Sequence, residues 1–423
     1  ALTTKTKLKE DSNGWTNILI FSSSSYDMSN PNSYDGVNLT DSIMVLSINQ
    51  STDQALEMSV PRDLWVAHQD CSVLGTSAGK LNEVYECGSN NGKDVNAGAS
   101  ALEKSVGSIL GITIQYYVHP DWTALQQIVD AVGGVDVTIN SGDSTCVGGN
   151  GVWDIATGVK YTAGVHHLDG QQALALARAR GDVGGCGLTG SNFARENAQR
   201  SILAALQKKV VSTGTLLNLV AVNSLLDAVG SHLVTSFQSS EFQTLIDLTK
   251  KIKSQNVTSL AFNNRPNNLP DLFTTGYVGS ASVVLPMTYK TSHETDDYSQ
   301  IQAYVAQHMS NDPVVKEGAT VDVLNGSGVS GAAKAIAKTL QAKKFTVGTT
   351  ANAPANIADK VEVYDLSGGK MPKTSAALAK LYDVKVQTGS LSGYTTSDDA
   401  SFVVVVGPSL ANSATSTDSS SSN

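Results

Sequence analysis

Gln115-Tyr-Tyr-Val118-His-Pro-Asp121-Trp-Thr-Ala-Leu-Gln-Gln-Ile-Val-Asp-Ala-Val132-Gly133-Gly134-Val135-Asp-Val-Thr-Ile139 changes its period twice. Gln115 to Val118 reads as a short strand. Asp121 caps a helix that runs through Val132, and Gly133-Gly134 ends it. Val135 to Ile139 is again a strand. Strands alternating with helices predict an α/β sheet with both faces covered.

The same pattern extends upstream. Thr16 to Phe21, Ser42 to Ile48 and Ala55 to Val60 read as strands, the last two joined by a turn over Asn49 to Asp53. Val95 to Leu110 reads as a helix with Leu102, Val106, Ile109 and Leu110 on one face. Downstream, residues 140–168 are a Gly-rich loop holding Cys146. Helices are predicted from Asp169 to about Ala177, from Asn192 through Lys209, and near 215–229 and 240–253. Val257 to Phe262 reads as a strand, and 263–316 as mostly irregular with one helix near 298–308.

A second unit opens at about Gly318. It holds a strand at Val321 to Leu324, an Asn325-Gly-Ser-Gly328 turn and a helix from Ala332 to Lys343. Strands at Phe345 to Val347, Val361 to Tyr364, Val384 to Val386 and Phe402 to Val406 follow, with a helix from Ser375 to Tyr382. The predicted layout is a flexible segment 1–13, a main domain 14–310, a linker 311–317, a small α/β domain 318–408 and a disordered Ser-rich tail 409–423.

At 423 residues the chain is too long for one ordinary core. A net charge of −9 argues against nucleic acid as the main partner. No run of eighteen apolar residues exists, so nothing reads as a membrane span. The chain starts at Ala1 and is read as a mature or truncated piece whose targeting segment is absent. Cys71, Cys87, Cys146 and Cys186 include no C-x-x-C pair and none at metal spacing to a His, which argues against a zinc site. Two disulfides and an oxidising compartment are expected, and sequence proximity favours Cys71–Cys87 with Cys146–Cys186.

Six arginines stand against twenty-three lysines: Arg62, Arg178, Arg180, Arg195, Arg200 and Arg265. Guanidinium is a rigid fork that grips phosphate bidentately, so rare and clustered arginines point to a phosphate or pyrophosphate site. Surface salt bridges are the plain alternative. Arg62-Asp63 follows a strand end, where α/β folds place ligands. Arg178 and Arg180 share a side if their stretch is extended. Arg195 falls in the first turn of its helix, where a cation is unfavourable unless an anion binds, and Gln199 shares its face. Lys80 adds a further positive group. Asp41 stands at a strand edge, with Asp27 and Asp35 in the loop ahead of it. A carboxylate beside an arginine cluster can hold Mg²⁺, although loop Asp residues also serve as turn formers. No catalytic triad, Walker loop or His metal motif is visible. Lys, Arg and Asp alone suit phosphoryl transfer, where a carboxylate can take a proton from an acceptor hydroxyl.

These residues carry a resemblance. Thr40-Asp41-Ser42-Ile-Met, Ser59-Val-Pro-Arg62-Asp63, Lys80-Leu-Asn82-Glu-Val-Tyr85 and Ile128-Val-Asp130-Ala-Val-Gly133-Gly134-Val resemble motifs of the LytR-CpsA-Psr family. Leu168-Asp-Gly-Gln-Gln-Ala-Leu-Ala-Leu-Ala-Arg178-Ala-Arg180 and Asn192-Phe-Ala-Arg195-Glu-Asn-Ala-Gln199 continue them in order from residue 14 to about 310. Residues 318–408, with Val323-Leu-Asn325-Gly-Ser-Gly-Val, resemble the LytR C-terminal accessory domain, an order frequent in actinobacterial members. The implied fold is α/β, with a mixed central sheet covered by helices on both faces and a small second α/β domain.

The resemblance implies a membrane-anchored enzyme on the outer face of a Gram-positive cell, whose anchor would precede Ala1. Such enzymes move a glycopolymer from a polyprenyl-pyrophosphate carrier to a cell-wall or cell-surface protein acceptor, using Mg²⁺ or Mn²⁺, with the polyprenyl tail in an apolar groove. By motif position Arg62, Arg178, Arg180 and Arg195 would hold the pyrophosphate. Asp41 would serve the metal or the acceptor, Asp27 would be a second metal-side carboxylate, and Lys80, Asn82 and Gln199 would contact substrate. Three departures stand out. Phe21-Ser-Ser-Ser-Ser-Tyr-Asp27 replaces the family's Gly-x-Asp, Asn192 stands for a frequent Asp, and Ala198 for a frequent Arg. Two other readings stay open: a hydrolase releasing polyprenyl phosphate from the same carrier, and a non-catalytic carrier-lipid or wall-binding protein.

Overall fold

The computed structural model describes residues 6–23, 39–71, 76–90, 92–179, 181, 183–188, 198, 201–202, 204–206, 209, 230–266, 269–357, 360–397 and 399–412. The chain forms two compact units, one of Ala1–Gly107 with Thr113–Leu260 and one of Ser108–Ile112 with Ala261–Asn423. No helix among the described residues is long and apolar enough to cross a membrane.

In the first unit β1 (Trp15–Ser23), β2 (Thr40–Asn49) and β3 (Ala55–Ser59) form an antiparallel meander. β4 (Trp65–Cys71) and β5 (Thr76–Lys80) then make a separate hairpin. It is followed by α1 (Val84–Ser89) and α2 (Val95–Leu110). β6 (Tyr116–Pro120) joins the meander parallel to β1. The chain continues through α3 (Trp122–Ala131) into β7 (Val135–Ile139), so the strand–helix–strand reading of 115–139 holds.

Asp121 caps α3 as its position predicts, its Oδ1 accepting from Ala124 N–H at 2.8 Å. Gly133 and Gly134 take φ of +77° and +83°, the left-handed conformation that ends a helix at little cost in glycine.

Residues 140–168, expected to be loop, are partly strand. β8 (Val152–Asp154), β9 (Val159–Tyr161) and, further on, β11 (Gly185–Cys186) form a small sheet, and β10 (Gly164–Leu168) pairs with β7. These strands are two to five residues long. The strands of two or three residues are too short for the hydrophobic alternation by which a strand is recognised, and β10, Gly-Val-His-His-Leu, does not alternate. Between β10 and β11 lies α4 (Gly170–Arg178), opened by an Asp169–Gln172 capping box. The Asn192–Lys209 helix lies mostly, and the 215–229 helix wholly, outside the described residues.

With β12 (Leu233–Thr235) and β13 (Val257–Leu260) the central sheet is six-stranded and mixed, in the order β12-β6-β1-β2-β3-β13. Alternation in β1 feeds two cores. Ile18 and Ile20 pack with Ile48, Tyr116 and Leu248, the last from the helix Phe242–Lys251. On the opposite face Phe21 meets Tyr85 of α1, ring centroids 5.2 Å apart. Both faces are therefore covered, and each fully buried large side chain contributes about 1.5–3 kcal/mol. The segment 1–13, expected to be flexible, is anchored in its described part. Leu8 is buried, and Thr16 Oγ1 donates to the Lys9 carbonyl.

The second unit holds a hairpin of Phe273–Val278 and Ala281–Pro286, inside a stretch expected to be irregular, and a helix Ser299–Met309 near the expected place. The expected linker 311–317 includes a helical turn, Pro313–Glu317. The Glu317 carboxylate accepts from the backbone N–H groups of Lys373 and Thr374 at 2.8 and 2.7 Å, capping the helix Pro372–Tyr382. A carboxylate at a helix start is favoured by the dipole, which is why this turn is folded. A five-stranded sheet follows, with Thr320–Asn325 and Ala400–Val406 at its centre and the helices Ala332–Ala342 and Pro372–Tyr382 packed on it. One edge strand of this sheet is Gln387–Thr388 rather than Val384–Val386. The Ser-rich tail beyond Asn412 lies outside the described residues.

Candidate functional site

β1 runs parallel to β6, and β2 is antiparallel to both β1 and β3. β1, β3 and β6 therefore all end at one edge of the sheet, at Ser23, Ser59 and Pro120, and β2 begins there. The carboxyl ends of parallel strands are where such sheets bind ligands. Asp41 lies at this edge. It was expected to precede its strand, but the strand starts at Thr40 and Asp41 is inside it. Ser22 pairs with Ser42 and Ser23 with Thr40, so Asp41 is the extra residue of a β-bulge. Bulges locally bend a strand and re-aim its side chains. Two contacts flank this one. Ser22 Oγ and Ser42 Oγ are 2.9 Å apart, and Ser23 Oγ lies 3.0 Å from His119 Nε2.

Arg62 reaches the same edge through β3. Val60 N–H donates to the Ile43 carbonyl at 3.0 Å, and a Pro61–Leu64 turn carries Arg62 and Asp63 at its centre. The hairpin β4–β5 pairs Trp65 with Lys80, so its closing end returns Lys80 to that turn. Lys80 Nζ lies 2.9 Å from Asp63 Oδ1, and Arg62 Nε 3.8 Å from Asp63 Oδ2. Asp63 thus sits between two cations. The backbone N–H of Asn82 donates to the Arg62 carbonyl at 2.9 Å and braces the turn. The Asn82 side chain is buried, and its Oδ1 has no hydrogen-bond partner among the described residues.

A pocket opens beside Ser42, the residue after Asp41. Ile20, Phe21, Trp122, Leu125, Ala177 and Ile202 line it, with Ser22 and Ser42. Its lining is overwhelmingly apolar. One wall is α3, the other includes α4, which ends at Arg178, the residue after Ala177. Arg178 is exposed. Gly170 makes the close approach of α3 and α4 possible. Its N–H donates to Asp130 Oδ1 at 2.7 Å, and a Cβ there would lie 2.2 Å from the Gln126 carbonyl oxygen. The segment after Arg178 is tied down by buried Asp154, whose Oδ1 accepts from Gly181 N–H at 2.8 Å. It is also tied by the Cys146–Cys186 disulfide, with Cα atoms 5.4 Å apart. Cys87 is disulfide-bonded as well, while the side chain of Cys71 lies outside the described residues.

The structure thus brings Asp41, Arg62 and Lys80 to one sheet edge, with Arg178 next in sequence to Ala177, which lines the pocket. Arg180, Arg195, Gln199 and Asp27 lie outside the described residues. Sequence reasoning named Asp63 only as the neighbour of Arg62, with no role of its own, and missed His119. His119 is fully buried, stacked on Phe21 at 4.2 Å and edge-on to Tyr85 at 5.0 Å. Burial pulls its pKa down to about 3, so the ring is neutral.

Residues 2–290 match the LytR_cpsA_psr family, and residues 318–409 match the family described as LytR cell envelope-related transcriptional attenuator. The chain is 27% identical over 346 residues to the cell wall biosynthesis protein LcpA of Corynebacterium glutamicum, covering 74% of this chain and 60% of that protein. It is 27% identical over 212 residues to the polyisoprenyl-teichoic acid–peptidoglycan teichoic acid transferase TagU of Oceanobacillus iheyensis, covering 49% and 56%. The chain thus spans 60% and 56% of the length of these curated relatives. Among solved structures, protein gbs0355 from Streptococcus agalactiae aligns at a TM-score of 0.51 and 19% identity, over 71% of this chain and 89% of that one. At that identity the likeness concerns the fold alone.

Proposed function

Since this chain belongs to the LytR-CpsA-Psr family, we propose that it is a phosphotransferase that moves a glycan from a polyprenyl-pyrophosphate carrier to a cell-wall or cell-surface protein acceptor. One observation carries the reading: an apolar pocket and the cations Arg62 and Lys80 stand at the same edge of the sheet. A polyprenyl pyrophosphate has the matching two-part chemistry. Its tail would enter the pocket between α3 and α4. Its diphosphate would meet Arg62, Lys80 and Arg178, joined by Arg180 and Arg195.

In the reaction an acceptor hydroxyl oxygen attacks the glycan-side phosphorus. The bond from that phosphorus to the bridging oxygen breaks, polyprenyl monophosphate leaves, and a phosphodiester joins glycan to acceptor. Arg62 and Lys80 offset the charge that builds on the bridging oxygen. Asp63 holds both cations in place in the absence of substrate. Asp41 takes the acceptor proton or binds a divalent ion.

Among the described residues no three His, Cys, Asp or Glu side chains gather at metal spacing. Mg²⁺ does not require that, because it is commonly held by one or two carboxylates together with substrate phosphates. Asp41, whose backbone stands at this sheet edge, and Asp27 would supply those carboxylates. Bound there, Mg²⁺ or Mn²⁺ would share the diphosphate charge. The site would work on the outer face of the membrane, in a compartment where the disulfide persists.

The test is incubation of the chain with carrier-linked glycan, acceptor and Mg²⁺ or Mn²⁺. Glycan on the acceptor supports transfer. Release of polyprenyl phosphate with no acceptor product identifies a hydrolase instead, and binding without turnover identifies a carrier-binding protein.

A further inference from the structure

We propose that His119 is a positioning residue that acts through Ser23 on the β-bulge at Asp41. Its catalytic consequence rests on the function proposed above, but its structural consequence does not.

His119 sits in the interior with no exposed surface, stacked on Phe21 and flanked by Tyr85. Only its Nε2 is used, 3.0 Å from Ser23 Oγ. Its Nδ1 is buried with no hydrogen-bond partner among the described residues. Burying a polar atom without a partner costs stability in either tautomer. A site that needed only an aromatic plug would be better filled by Phe, which keeps the stack and buries no orphan nitrogen. The imidazole therefore serves its one bond, and that bond goes to the residue where the β1–β2 register slips.

Ser23 is itself fully buried and pairs with Thr40, whereas Ser22 pairs with Ser42. The two serines thus bracket Asp41, one fastened to β2 by Ser42 and the other fastened to β6 by His119. Releasing Ser23 frees one side of the bulge while the ladder from Ile43 onward stays paired. A catalytic group carried on a backbone that shifts by an ångström loses rate steeply.

The test uses the full chain with His119→Phe, Ser23→Ala and the double variant. Hydrogen exchange is followed for peptides covering residues 39–43 and 44–48, alongside thermal unfolding and, with carrier-linked glycan, kcat and KM. Exchange in 39–43 is expected to quicken about tenfold or more in each single variant, with 44–48 unchanged. His119→Phe should unfold at the wild-type temperature or above it. kcat should fall about tenfold with KM for the donor within about twofold, and the double variant should be no worse than either single one. His119→Gln, which can still bond Ser23, should recover part of the loss.

Unchanged exchange in 39–43 for both Ser23→Ala and His119→Phe overturns the proposal. So does a lowered unfolding temperature with wild-type exchange, which marks a purely structural histidine. Should His119→Phe not fold, Ser23→Ala alone decides. Absence of transfer by the wild type counts against the proposed function, and the exchange result still decides the role of His119.

Discussion

Lys80 Nζ rests 2.9 Å from Asp63 Oδ1, a contact made only because the β4–β5 hairpin folds Lys80 back onto the turn that carries Arg62. Asp63 pairs with both Arg62 and Lys80 and so holds the two cations at one turn. Arg62 is the cation with bidentate geometry. Arg62→Ala should lower transfer by roughly a hundred- to a few thousand-fold, from the loss of about 3–5 kcal/mol of charge-assisted bonding in the transition state. Arg62→Lys should recover little of it. Near-wild-type turnover in Arg62→Ala, in a protein with unchanged circular dichroism, would remove Arg62 from the site.

Gly170→Ala should separate α3 from α4. The added Cβ meets the backbone carbonyl of Gln126 at 2.2 Å, and a carbonyl cannot rotate away as a side-chain tip can. A cost of about 1–3 kcal/mol is expected for such overpacking, seen as a lower denaturant midpoint. Because both helices wall the pocket, the affinity for long-tailed donors should fall with it. A wild-type midpoint would show that α3 and α4 need no such contact.

Replacing Cys146 and Cys186 together by Ser should destabilise the first unit by about 2–4 kcal/mol, the usual range for a native bridge. The loop it closes separates the two cysteines by 40 residues in sequence and includes α4. Reductant should lower the unfolding temperature of the wild type by more than that of the Ser variant, which keeps the bridge of Cys87. Equal temperatures with and without reductant would show that the bridge contributes nothing.

Glu103 on α2 titrates near 7 rather than 4.5, raised by burial against a smaller opposing pull from Lys9. The fold therefore favours the neutral carboxyl. Its contribution to stability is complete below pH 4.5 and is lost as pH rises to about 7. Glu103→Gln should flatten the fall in unfolding temperature between those values and be the more stable form at pH 8. A slope identical to wild type in that window would contradict the burial of this group.

The fold was legible wherever periodicity ran long enough. The 115–139 segment announced a strand, a capped helix, a glycine stop and a second strand, and all four are present. The small sheet around Trp153 was not legible, because strands of two or three residues show no alternation. The pocket was not legible either. Ile20, Trp122, Ala177 and Ile202 meet only when the sheet and helices close, and each reads in sequence as ordinary core. Arg62 and Arg178 could be picked out by rarity. His119 could not, because one histidine in an apolar strand carries no periodic signal, and its meaning comes from the bulge on a neighbouring strand.

On the proposed function, this sheet edge passes a phosphoryl-linked glycan from a lipid carrier to a hydroxyl. The most direct measurement labels the glycan-side phosphorus of a polyprenyl-pyrophosphate glycan and follows it with purified chain, acceptor and Mg²⁺. The expected result is label on the acceptor, in equal amount to the polyprenyl monophosphate released. Label that stays on the carrier, or that appears only as free glycan phosphate while the acceptor remains unlabelled, would contradict it.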